Sequence, residues 1–237
     1  MRKFQLFIKR AFDLTVSIIL LILLIAIPVL IVVPIVIRLT SRGPAVFTQE
    51  RMGKGGKVFR IYKFRTMRIP EDSYDENGNM LEPKKRITKV GAFLRKTSID
   101  ELMQLFNIIN GTMSFVGPRP TLPYQAERYN ERQKKRHDMR PGITGWAQVN
   151  GRNDLTWSEK LEYDVEYVEK FSLWFDIKIL FKTVGVVFKQ DGIAFTKDDA
   201  INAKAPQNAA SSEASVTEDK PSEQTAEVSG AEEEVKQ

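Results

Sequence analysis

Asp100 and Glu101 are adjacent carboxylates at the head of an apolar periodic run, where such a pair can serve as nucleophile, base or ligand to a hard cation. Ser98-Ile99-Asp100-Glu101 leads into Leu102, Leu105, Phe106 and Ile109, spaced i, i+3, i+4 and i+7, and the pattern stops at Asn110-Gly111. The spacing predicts a helix over 98–109 with Asp100 at its second position. There its carboxylate sits in the positive field of the helix N-terminus, where free amides also bind phosphate. That placement favours an ionised nucleophile beside a bound anion. Ser98 and Glu101 also fit a capping box, in which the glutamate reaches back to the N-cap amide, so Glu101 has a structural reading beside the chemical one.

Cations with phosphate-binding character lie on either side. Arg95 precedes the helix, and Arg119 follows it in Gly117-Pro118-Arg119-Pro120, where two prolines restrict the backbone around one guanidinium. A fixed arginine can grip phosphate with two parallel donors, or clamp a carbonyl or carboxylate. The run from Arg140 to Arg152, RPGITGWAQVNGR, mixes glycines, amides, a hydroxyl and two cations. It could cradle an anion or a base, or simply connect two elements through tight turns. Asp164 falls on the apolar stripe of Leu161, Val165 and Val168, where a carboxylate needs an arginine or a metal. Lys63 and Arg65 stand on a strand edge, where solvated decoration is the ordinary reading.

The elements that position these groups are mixed, α+β and mainly helical. Helices are predicted over 90–95, 98–109, 124–136, 156–170 and 172–190, and short strands over 45–49 and 58–63. Thr156 and Glu159 form a second capping-box pair. The polar stretch 71–83, with Asn77-Gly78, reads as a surface loop without function. The helix over 172–190 alternates Lys178, Lys182 and Lys189 with Trp174, Phe175, Ile179, Phe181 and Phe188, which suits either ordinary core packing or a membrane interface.

Leu14 to Ile37 is a run of 24 residues without a charge, containing Pro28 and Pro34. As an ideal helix it would reach about 36 Å, enough to cross a bilayer, and it exceeds a secretory signal core. Arg2, Lys3, Lys9 and Arg10 precede it, and Arg38, Arg42, Arg51, Lys54 and Lys57 follow it, so both flanks carry the cytoplasmic signature. A helix bent near Pro28 that returns to the same side satisfies both facts, and a straight span with a tolerated kink remains open.

Composition removes several chemistries. The 237-residue chain has no cysteine and one histidine, His137, which excludes disulfides and makes a histidine-based zinc site or a Ser-His triad implausible. Residues 206–237 hold seven Glu, one Asp and two Lys, a charge of −6, which leaves +12 on the rest. The tail lacks bulky apolar residues and is expected to be disordered. A basic body attracts nucleic acid, anionic lipid or phosphorylated substrates, and the apolar run points to membrane. Nucleic acid is not expected as a partner, since aromatic-basic interleaving of a known type is missing.

Together these residues resemble the bacterial sugar transferase family, the monotopic phosphoglycosyl transferases that start glycan assembly on polyprenyl phosphate. The likeness covers about residues 6 to 195: the apolar segment, Lys63-Phe64-Arg65-Thr66-Met67, Asp100-Glu101-Leu102, Pro118-Arg119-Pro120 and Arg140-Pro141-Gly142-Ile143-Thr144-Gly145, in the family's order. It implies a re-entrant membrane helix over 1–40, a cytoplasmic catalytic domain over 41–205 with interfacial helices, and a tail over 206–237. It also implies a small form of the family, at the cytoplasmic face of the bacterial inner membrane. Many members place Ser-Pro at the bend, whereas here Ile27 precedes Pro28.

By the same resemblance, Asp100 attacks the β-phosphate of a UDP-sugar, UMP leaves, and undecaprenyl phosphate takes the phosphosugar from the aspartate. Mg2+ is implied, with Asp100 or its neighbours as ligands, and Glu101 as metal-positioning residue or base. Lys63, Arg65, Arg95, Arg119, Arg152 and Asp164 are the implied substrate contacts. Homo-oligomerisation is left open, as are the sugar and the glycan pathway. The competing expectation is a membrane-anchored scaffold that keeps the fold without activity.

Overall fold

The computed structural model describes residues 1–26, 28–151 and 155–188. The chain opens with α1 (Arg2–Ala26) and α2 (Val29–Thr40), followed by β1 (Val46–Met52), β2 (Val58–Phe64), α3 (Pro83–Arg86) and α4 (Lys89–Lys96). A 3-10 segment, Ile99–Met103, runs into α5 (Gln104–Ile109), and then come β3 (Ser114–Val116), α6 (Pro123–Ala126), α7 (Glu131–Lys134), β4 (Gly142–Thr144), α8 (Trp146–Val149), α9 (Trp157–Glu169) and α10 (Leu173–Phe188). The architecture is α+β and mainly helical, as the sequence indicates. The expected tail, together with Lys189 and Arg152, lies outside the described residues.

The apolar run is broken where the proline stands. α1 ends at Ala26, α2 begins at Val29, and the two are bent by 61°; no single described helix is long and apolar enough to cross a membrane. α2, at 12 residues, is about 18 Å long. The uncharged part of α1 is of similar length, so each arm falls short of the ~30 Å hydrocarbon layer. Pro34 sits inside α2 without ending it.

Both ends of this bent pair are tied to the same globular body. Lys9 reaches Asp176 on α10 at 2.7 Å, with both side chains buried, and Asp176 also accepts from the Tyr167 hydroxyl at 2.8 Å. Arg10 donates to the carbonyls of Ile108 and Ile109. Asp13 accepts from the Ser114 hydroxyl at 2.7 Å and from the Phe115 amide. At the far end, Ile37 packs with Ala45, Phe64 and Leu94. Residues 1–40 are therefore packed on the body formed by the later elements, and Lys9 and Arg10 act as clamps as well as flanking charges.

β1 and β2 form an antiparallel ribbon in the register Val46↔Phe64 through Met52↔Val58, a little longer than the predicted strands. β3 and β4 are a parallel pair, Ser114↔Gly142 and Val116↔Thr144, which the sequence reading does not contain. Three residues each are too few to show a periodicity. Their pairing brings the Gly117–Pro120 and Arg140–Gly145 runs into backbone contact: a Cβ on Gly142 would lie 2.1 Å from the Gly117 amide nitrogen, and only glycine permits that approach.

Two expected helices differ. Residues 124–136 split into α6, α7 and a 3-10 turn, because Asn130 caps a fresh start by accepting from the Gln133 amide at 2.9 Å. The helix expected from Ser98 opens as a 3-10 turn instead, with Ser98 in the left-handed region (φ 56°) and no side-chain cap. By contrast, the Thr156–Glu159 box forms at the head of α9. α10 buries one face in the core, as the core-packing expectation has it, and leaves large apolar side chains exposed on another. Ile179 is fully buried in the core of Val116, Met139, Tyr167 and Val168, while Trp174 and Phe181 are each 76% exposed.

Candidate active site

Asp100 is 8% exposed, at the second residue of the 3-10 segment. Burial raises its carboxyl pKa to about 6, because desolvation disfavours the charged form and the Glu101 charge adds to that; Lys63 and Arg95 pull the other way. Three of the candidate residues, Lys63, Arg95 and Glu101, thus act on the Asp100 carboxylate. Lys63, on β2, pairs with Glu101 at 2.7 Å, both side chains partly buried. This bond is why the expected capping box at Glu101 does not form: its carboxylate faces the strand ammonium, and Ser98 has turned to positive φ. Arg95, on the last turn of α4, donates through Nε to the Thr66 hydroxyl at 2.8 Å. α4 can lie that close to the strand exit because Gly91 meets the Thr66 carbonyl, where a Cβ would be 1.9 Å from oxygen.

Arg65 is elsewhere. It is 7% exposed, and its Nη2 donates to the Ser41 carbonyl at 2.9 Å and hydroxyl at 2.7 Å, at the end of α2. Strand alternation would put Lys63 and Arg65 on one face, and they part because β2 ends at Phe64 and the chain has left the strand by Arg65. Arg65 anchors the end of α2, and the expected substrate contact is not what its present partners provide.

Arg119 is exposed between two buried prolines, a guanidinium presented by a fixed backbone. What fixes it is Arg136, a residue that sequence reasoning missed. Arg136 is 3% exposed; it pairs with Asp164 at 2.6 Å and donates to the Arg119 carbonyl and to the hydroxyls of Thr121 and Tyr129, the latter two at 2.9 Å. Asp164 is thereby placed in the arginine-partnered state, one of the two readings its position allowed. Desolvation raises its pKa, and Arg136 opposes that. Arg136 was hidden in the charged run Lys134-Lys135-Arg136-His137-Asp138, which reads as solvated surface.

Among the described residues no group of three or more His, Asp or Glu side chains could hold a metal. The Asp100-Glu101 pair still fits Mg2+, which takes one or two carboxylates and completes its shell with substrate phosphate and water. A buried carboxylate with a raised pKa is also one that an adjacent cation would relieve.

The structure thus gathers Lys63, Arg95 and Glu101 around the buried Asp100, and exposes Arg119 on the loop held by the Arg136–Asp164 pair. Residues 4–190 match the family described as bacterial sugar transferase. The chain is 49% identical over 178 residues to an uncharacterized sugar transferase, EpsL, of Bacillus subtilis, covering 75% of this chain and 85% of that one. It is 45% identical to the UDP-glucose:undecaprenyl-phosphate glucose-1-phosphate transferase of Escherichia coli, over 75% of this chain and 39% of the relative. It is 41% identical to the undecaprenyl-phosphate galactose phosphotransferase of Salmonella typhimurium, over 76% and 40%. The chain spans about two fifths of the length of these last two. It belongs to the bacterial sugar transferase family, and the expectation of a transferase stands with that membership.

Proposed function

We propose that this chain transfers a sugar-1-phosphate from a UDP-sugar to undecaprenyl phosphate at the cytoplasmic face of the bacterial membrane, the first membrane step of polysaccharide or glycoconjugate assembly. The observation that carries the reading is the buried Asp100 carboxylate, flanked by Lys63, Glu101 and Arg95. Relatives named for this reaction with glucose and with galactose match about three quarters of this chain.

In the first step an Asp100 carboxylate oxygen attacks the β-phosphorus of the UDP-sugar. The bond from that phosphorus to the bridging oxygen breaks, and UMP departs with the electron pair. In the second, an oxygen of undecaprenyl phosphate attacks the same phosphorus and the Asp100 carboxylate is expelled, leaving undecaprenyl-diphospho-sugar. Dividing the transfer spares the enzyme a single encounter between a soluble and a lipid substrate. Burial makes the carboxylate more basic and keeps competing water away. Lys63 holds Glu101 and favours the ionised form of Asp100. Arg95 faces the same carboxylate, and Arg119 offers a fixed guanidinium to phosphate; Arg152 is retained as a third candidate. Mg2+ held by Asp100 and Glu101 would neutralise the diphosphate and stabilise the leaving UMP.

The membrane arrangement belongs to the same proposal. The bent pair enters and leaves one leaflet, because its two ends are bonded to one body through Arg10 and Arg65. The exposed apolar faces of α1 and α2, with Trp174, Ile177, Phe181 and Val184 on α10, would then rest in lipid and its interface. An inactive scaffold is disfavoured by the intact Asp100 environment. UMP release from a panel of UDP-sugars, including UDP-glucose and UDP-galactose, with undecaprenyl phosphate tests the reading: turnover with at least one donor is expected, and none with any donor would sink it.

A further inference from the structure

We propose that Asn107 is a positioning residue for the transfer reaction: its side-chain amide stands in for a third strand on the open edge of β2 and so holds Lys63 against the Asp100-Glu101 pair. The inference rests on the reading of Asp100 as nucleophile and adds a residue that has no contact with the reacting groups.

Asn107 has no exposed surface. Its Oδ1 accepts from the Tyr62 amide at 3.0 Å, and its Nδ2 donates to the Arg60 carbonyl at 2.7 Å. One acceptor and one donor opposite residues i+1 and i−1 of a strand is the pattern a parallel neighbour would present to Ile61. β1 occupies the other edge of β2, so a two-stranded ribbon that would otherwise bury unpaired backbone groups is completed by one side chain. The amide's orientation follows from its partners, since the Tyr62 N–H requires an acceptor and the Arg60 carbonyl a donor.

Asn107 is itself fixed. Its Nδ2 also reaches the Thr112 hydroxyl at 3.2 Å, and its carbonyl accepts from the Thr112 and Met113 amides at 3.0 Å each. It lies in α5, which continues the 3-10 segment bearing Asp100 and Glu101, while Tyr62 immediately precedes Lys63. The two elements whose side chains meet at the 2.7 Å Lys63–Glu101 pair are therefore locked to each other one residue from the lysine. Apolar packing of Ile61 against Leu105 and Ile108 supplies adhesion. The directional amide bonds add a fixed pairing at the backbone of Arg60 and Tyr62.

The test uses the full chain in detergent with undecaprenyl phosphate and whichever UDP-sugar turns over. Asn107→Ala and Asn107→Asp are expected to lower kcat by about 10- to 100-fold, with the donor KM changed by less than about threefold. In a double-mutant cycle, Asn107→Ala should cost little more once Lys63→Met is present, because both act through the same pair. Folded Asn107 variants with kcat within about twofold of the parent, or losses that multiply in the double variant, would overturn the proposal. Should both variants fail to fold, hydrogen exchange on the unaltered protein decides: core-level protection of the Tyr62 amide supports the lock, and loop-like exchange contradicts it. Failure of the underlying reading looks different, since Asp100→Asn would then keep releasing UMP.

Discussion

Asp100, the nucleophile of the proposed reaction, is a carboxylate whose burial penalises its charged form. With a pKa raised to about 6, Asp100 is largely protonated at pH 5 and ionised at pH 7. In the protein without divalent metal the Asp100 carboxyl is therefore expected to titrate near 6, followed as the infrared carboxylate difference between the parent and Asp100→Asn; a midpoint near the ordinary aspartate value of about 4 would contradict the raised value. The same shift has a stability consequence. In the unfolded chain this group titrates near about 4, so between there and 6 the native state binds more protons, and stability falls as pH rises through that window. Above pH 6 the full penalty remains. Asp100→Asn, assayed without divalent metal, should therefore unfold at a higher temperature at pH 7, by the equivalent of about 1–3 kcal/mol, while turnover is lost. Equal or lower thermal stability would show that the burial penalty is offset locally. The pair itself was legible in the sequence as adjacent carboxylates opening an apolar run. Glu101's partner was not, because Lys63 lies 38 positions away and nothing local signals the pairing.

At the scale of elements, the site is assembled by loops that are held from behind. The Arg136–Asp164 pair illustrates how far sequence reasoning reaches: the stripe on α9 placed Asp164 inward and demanded a partner, and the partner sat in a run of charges with no periodic signature. The geometry assigns Asp164 the support of the Arg119 loop. Asp164→Ala leaves a buried guanidinium unpaired and is expected to lower stability by about 3–5 kcal/mol, whereas Arg136→Met with Asp164→Leu should recover more than half of that loss. Denaturant unfolding of the two variants measures this. A loss of turnover of 100-fold or more in Asp164→Ala at unchanged stability would instead place Asp164 on substrate or metal. The parallel pair β3–β4 shows the same limit, since the glycines were visible while the mutual approach that needs them is a long-range fact.

For the whole molecule, the bend at Pro28 was readable from one residue, and the attachment of both arms to a single body was not, because it runs through Asp13, Lys9 and Arg65 to distant partners. Single cysteines replacing Lys3 and Arg42 in this cysteine-free chain should both stay unlabelled by an impermeant maleimide in intact cells and react once the membrane is opened. Labelling of the Lys3 position alone would mean that the segment crosses the bilayer. The most direct test of the account as a whole is a burst measurement without lipid acceptor: purified protein is mixed with an accepted UDP-sugar, and UMP is counted per enzyme. Two-step transfer through Asp100 predicts about one equivalent of UMP and a protein mass increased by the phosphosugar on the peptide containing Asp100, both absent from Asp100→Asn. UMP that appears only when undecaprenyl phosphate is added, or a burst that survives in Asp100→Asn, would contradict it.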